Sequence, residues 1–251
     1  MKNALRQIGI LLLVVATITV NALANIIPFN GLHTGEISDR FHVYFVPAGY
    51  VFAIWGLIYT GLIAYGIYQA LPAQRENARL RRIDGLFIMA SLANIVWLFL
   101  WHYGQFVGTL AAMLVLLAAL ISIYMSLGVG RTKASPAESW LVRVPFSIYL
   151  GWITVATIAN VTEVLDYLQW NRWGLSQETW MVIILGAVAV IAALMNLTRR
   201  DVAYALVILW ALIGIAAKFP AAGIVTVATW VAFGLAALTL IIAFLVKRKP
   251  A

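Results

Sequence analysis

The sequence predicts an all-α membrane protein, a polytopic bundle of about eight transmembrane helices. Three observations carry this. The 251 residues are 64% hydrophobic and only 10% charged, with a mean hydropathy of +0.96, where a soluble domain averages about 25% charged residues. The stretch from Val46 to Gln69 passes without a formal charge; as a helix rising about 1.5 Å per residue it spans about 36 Å, enough for a bilayer core with some tilt. Fourteen of the 17 Lys and Arg fall in alternate connections, the asymmetry that the positive-inside rule describes. The chain has no cysteine, which removes disulfides, thiolate nucleophiles and cysteine metal sites from consideration. Its net charge of +8 belongs to membrane orientation, not to nucleic acid.

The first apolar span covers about residues 5–27, behind Lys2 and Arg6. Asn21-Ala22-Leu23-Ala24 offers a passable cleavage site, but the apolar run is longer than the core of a leader, so the span reads as a retained anchor. The connection that follows, about residues 28–46, carries His33, Glu36, Asp39 and His42 three apart. As a helical turn or two, these side chains would form one face able to hold a metal or a haem iron. Gly31 and Gly35 interrupt the segment, which favours a solvated polar loop or a lid over a pocket between helices.

The second span, about 47–70, is expected to begin at Pro47, whose missing N–H costs nothing in a first turn. Phe52, Trp55 and Tyr59 follow at i, i+3 and i+7, so three rings share one helical face. An interfacial belt would account for Tyr50, but Trp55 and Tyr59 lie too deep for one. The third span, about 84–103, repeats the spacing with Asn94, Trp97 and Trp101. An amide at the depth of Asn94 has to face protein, water or ligand, the plainer case being a hydrogen bond between helices. Trp101, beside His102 and Tyr103, reads as belt.

The fourth span covers about 106–128. The fifth, about 143–162, sets Tyr149, Trp152, Ala156 and Asn160 on one stripe with a small residue in its middle, which admits either a neighbouring helix or a ring. Three more spans follow at about 179–197, 201–217 and 221–246, the seventh being short. Charged residues are absent from the interiors of the spans so drawn, which argues against an ion-coupled carrier. With the N-terminus inside, the outer connections keep only Arg40, Arg172 and Lys218, and both termini are expected in the cytoplasm.

These motifs, in this order, resemble the tryptophan-rich sensory protein family, TspO, whose mammalian member is the translocator protein or peripheral benzodiazepine receptor. Pro47, Gly49, Phe52, Trp55 and Tyr59 look like the opening of that family's second helix. Asn94 and Trp97 match the N-x-x-W of its third, and Tyr149, Trp152, Ala156 and Asn160 keep the spacing of its fifth. The resemblance covers roughly residues 5–162 and divides the chain into a five-helix unit, 1–170, and three additional transmembrane helices, 171–251.

The resemblance implies a protein of the inner or plasma membrane of a bacterium, surrounded by lipid and able to form a homodimer. It implies a sensor or carrier that binds a flat hydrophobic ligand of the tetrapyrrole class, porphyrin or haem, with no cofactor required. Phe52, Trp55, Tyr59, Asn94, Trp97, Tyr149, Trp152, Ala156 and Asn160 are then the ligand-binding candidates. An uncoupled small-molecule transporter is the alternative. No HExxH, GxSxG or P-loop occurs, and no acid, base or metal set argues for catalysis.

Overall fold

The computed structural model describes residues 2–246. Its long helices are α1 (Lys2–Ile26), α2 (Ile54–Ala70), α3 (Ala78–His102), α4 (Phe106–Leu127), α5 (Val144–Tyr167), α6 (Gln177–Arg199), α7 (Val202–Lys218) and α8 (Ile224–Leu245), with no strand among the described residues. Seven are long and apolar enough to cross a membrane, α2 once the 3-10 turn Gly49–Ala53 ahead of it is counted in; α7, with 17 residues, falls short of that length. At 1.5 Å per residue α7 reaches only about 26 Å, against a hydrocarbon core of about 30 Å.

Local chemistry sets the helix ends. The side chains of Asn77, Ser135, Ser176 and Asp201 each accept from a backbone N–H two or three residues on, capping α3, the lead-in to α5, α6 and α7. Pro47 does not open the second helix: Gly49–Ala53 forms a 3-10 turn and α2 starts at Ile54. The N–H of Ala48 donates instead to the carbonyl of Gly214 on α7, at 3.1 Å. The fifth helix is longer than expected at both ends. Pro136–Glu138 leads through a π-helical turn, Ser139–Arg143, into Val144–Tyr167. That turn lies just ahead of Pro145, whose ring and missing N–H disturb a regular α ladder.

The packing order positions the site. α1 lies against α2 and α3, α3 against α4, α4 against α5, and α5 against α2. The first five helices thus close a ring. α7 packs on α5 from outside it, and α8 on α6 and α7. Two glycines permit the close approach of α7. A Cβ on Gly151 would lie 3.0 Å from the Cβ of Val207, and one on Gly214 would lie 2.1 Å from Val51. Small residues at crossings are how helices approach when lipid supplies no hydrophobic drive between them.

The two ends of the bundle differ in charge. At one end Arg6 pairs with Asp84, Arg79 with Glu138 at 2.5 Å, and Arg143 donates to the Thr132 carbonyl at 2.6 Å. Arg200 reaches the carbonyl of Val246 there at 2.5 Å, so the start of α1 and the end of α8 share this basic end. Lys247, Arg248 and Lys249, also assigned to it by the sequence, lie outside the described residues. The segment 28–46 covers the other end.

Candidate functional site

That covering segment is not a solvated loop. Phe29–Gly31 forms a 3-10 turn and Thr34–Ser38 a short helix, and Ile37, Phe45 and Val46 are buried. His33 and Glu36 close a capping box at the start of the short helix. From there the segment is tied to four long helices. Asn30 donates to the His102 carbonyl of α3 (3.1 Å), the backbone N–H of His42 to Asp166 of α5 (3.0 Å), and Tyr44 Oη to Glu178 of α6 (3.2 Å). Asp39 pairs with Lys218 of α7 at 2.5 Å, and Ser38 Oγ donates to the carboxylate of Glu163 on α5. The carboxylates of Glu36 and Asp39 are thereby engaged by separate partners, and His33 and His42 are held through their backbone N–H groups. Among the described residues no three His, Asp or Glu side chains are grouped as a metal site would need. Burial raises the pKa of Tyr44 first, and the neighbouring Glu178 carboxylate raises it further.

Trp101 is part of this roof and not of an interfacial belt. It is 2% exposed, stacks on Trp97 with centroids 5.4 Å apart, and its Nε1 donates to the carbonyl of Thr34 at 3.1 Å. A position at a helix end suits a belt only if the chain beyond leads away, and here residues 28–46 fold back over it.

Beneath the roof the ring encloses a chamber of about 40 Å³, room for a few water-sized spheres. Phe52, Trp55, Asn94, Trp97, Trp152, Ala156 and Asn160 all line it, with Trp101, Met113, Glu163 and the roof residues Thr34, Ser38, Val46 and Pro47. Tyr59 and Tyr149 do not. Tyr149 is packed behind Trp55 (centroids 6.1 Å apart), while Tyr59 stacks on Trp55 at 5.5 Å and faces a second cavity. That vestibule, of about 380 Å³, lies between α1, α2, α3 and the roof, and is lined by Asn25, His33, Glu36 and Asp39. Thr34, Phe52, Trp55 and Trp97 border both spaces and form the partition between them. A larger apolar groove of about 530 Å³, lined by residues such as Leu57, Ile148 and Leu206, lies between α2, α5 and α7.

Polar groups at the chamber are few and placed. Asn94 accepts from Asn21 of α1 at 2.7 Å, an interhelical bond on a residue that also lines the cavity. Asn160 Nδ2 donates to Thr109 of α4 at 2.9 Å, while its Oδ1 is buried without a partner. The Nε1 atoms of Trp97 and Trp152 are also buried and unpartnered. Buried polar atoms are ordinarily satisfied, so two free donors and one free acceptor on the walls of one chamber call for an explanation. A cavity that is mostly aromatic with a few convergent polar groups is the usual form of a small-molecule site.

Sequence reasoning missed Glu163, Asn21 and Ser38. A fifth span ending at residue 162 leaves out this acid, so the expectation of span interiors without charge does not hold. Glu163 is 4% exposed and lies inside a helix that runs on to Tyr167. The signal was present, since Glu163 falls three residues after Asn160 on the same stripe. Asp84, buried in α3 and paired with Arg6, is a second such acid.

The fold and the chamber together define a multi-pass helical membrane protein with an internal aromatic pocket. The model of the TSPO-like protein family matches residues 7–245, and the chain belongs to that family. The matched stretch includes α6, α7 and α8 as well as the five-helix ring. No curated protein and no solved structure matches the chain.

Proposed function

We propose that the protein is a membrane sensor or carrier that binds a flat, largely apolar ligand of the tetrapyrrole class in the chamber beneath the 28–46 roof. One observation carries the reading. The aromatic faces of three separate helices meet at a single cavity whose walls hold unpartnered indole N–H groups and an unpartnered amide oxygen. Indole faces suit a planar π system, offset-stacked or edge-on.

Drug-sized ligands occupy about 300–1,000 Å³, which the vestibule offers and the chamber alone does not. The ligand therefore enters from the vestibule, and rotation of Trp97 and Trp55 joins the two spaces. Ala156 lies at the chamber wall, half-buried, where a phenyl ring would occupy the space the ligand needs. Quenching of Trp fluorescence by an uncharged porphyrin diester in detergent tests this. Ala156→Phe is expected to weaken binding at least about tenfold at a stability cost of about 1–3 kcal/mol, the usual range for overpacking. Unchanged affinity in a folded Ala156→Phe variant places the site elsewhere. Flux of the same diester into proteoliposomes separates a carrier from a sensor.

A further inference from the structure

The charges along this route point to the kind of ligand it admits. Glu163 is the one charged residue lining the chamber. The vestibule adds Glu36 and Asp39, with His33 as its one basic side chain and no Lys or Arg. Lys218 approaches the roof but is engaged by Asp39 at 2.5 Å. The bias extends over the whole covered end of the bundle. Glu36, Asp39, Glu163, Asp166 and Glu178 outnumber Arg40, Arg172 and Lys218, a net −2 in a chain that carries +8.

Glu163 is held on one side only. Its Oε1 accepts from Ser38, and no other hydrogen bond to the carboxylate is formed among the described residues. Asn160, one turn before it, contributes an unpartnered Oδ1. The chamber thus offers two oxygen acceptors at its roofed end and no cation. An anion brought here loses its hydration and gains only neutral donors such as the indole N–H groups, whereas an ammonium meets a carboxylate and aromatic faces together. The negative mouth also raises the local concentration of cations and lowers that of anions.

We propose that the chamber selects ligands that carry a positive charge or a strong hydrogen-bond donor beside their flat apolar face, with Glu163 as the anchoring carboxylate, and discriminates against ligands bearing carboxylates. This rests on the binding site proposed above and specifies its chemistry. The test uses three porphyrins that share one macrocycle, a diacid, its neutral diester and a diamine, titrated against the full-length protein in detergent.

The diamine is expected to bind at least about tenfold more tightly than the diacid, the scale of one hydrogen bond to a charged group, with the diester between them. Glu163→Gln should collapse the preference of diamine over diacid to near unity, whatever change it makes in the affinity for the diester. Ser38→Ala, which frees the carboxylate from its protein donor, should keep or widen that preference. If Glu163 serves only to hold the roof, both substitutions shift all three porphyrins alike and the inference is overturned. Equal binding of all three to the parent protein, or tightest binding of the diacid, overturns it as well while leaving the site intact. Failure of every macrocycle to bind removes the site and this inference with it.

Discussion

Asn94 shows how a single buried amide serves both the fold and the site. It accepts from Asn21 at 2.7 Å, joining α1 to α3 within the ring, and it also lines the chamber. Interhelical hydrogen bonds in membranes are worth about 0.6 kcal/mol on average and up to about 1.7. Asn21→Leu should therefore lower the stability of the detergent-solubilised protein by about 1 kcal/mol, read from its denaturation midpoint; an unchanged midpoint contradicts this role. The stripes Phe52–Trp55–Tyr59 and Tyr149–Trp152–Ala156–Asn160 are legible in the sequence because helical periodicity alone places their members on one face. Which members reach the chamber is not legible. Tyr149 and Tyr59 share the spacing of their neighbours, yet one is packed behind Trp55 and the other turns to the vestibule. Trp101 and Glu163 were hidden for a similar reason, since both lie at helix ends whose surroundings are set by a segment distant in the chain.

Among the elements, residues 28–46 depart furthest from what composition suggests. Its length and polarity mark it as more than a connector, but its ties to α3, α5, α6 and α7 depend on which helix ends the packing order brings beneath it. Thr34 bonds Trp101 through its carbonyl and lies 3.1 Å from His102 Nε2 through its hydroxyl. Trp101→Phe keeps the ring but removes the N–H, and is expected to raise hydrogen exchange in residues 28–46 without changing that of α4 or α8. Equal protection in both proteins would show that the roof is held by its other contacts alone. α7 is the other element whose role the sequence leaves open. Its approach to the Pro47–Val51 segment depends on Gly214, where a Cβ would be 2.1 Å from Val51. Gly214→Leu should displace α7 and destabilise the protein by about 1–3 kcal/mol, read by the same denaturation midpoint.

At the scale of the whole molecule, charge was the most legible feature. The basic residues of alternate connections gather at one end of the bundle through the contacts of Arg6, Arg79, Arg143 and Arg200, and at the roofed end acidic residues outnumber basic ones. The spacing of apolar spans revealed how many helices there are, but the order in which they close a ring is a matter of side-chain fit that no single span displays. Basic loops stay in the cytoplasm, so reporters fused at Ala251 and within the 168–176 connection are expected in opposite compartments; the same compartment for both would overturn the eight-helix topology. The claim on which the rest depends is that the ligand lies inside the ring and not in the larger lipid-facing groove. Photolabelling with a photoreactive porphyrin diester, mapped by mass spectrometry, distinguishes the two. Labels on Phe52, Trp97 and the 152–160 stretch are the predicted result, lost in Ala156→Phe. Labels confined to Leu57, Trp140 and Leu206, and unaffected by that substitution, would contradict it.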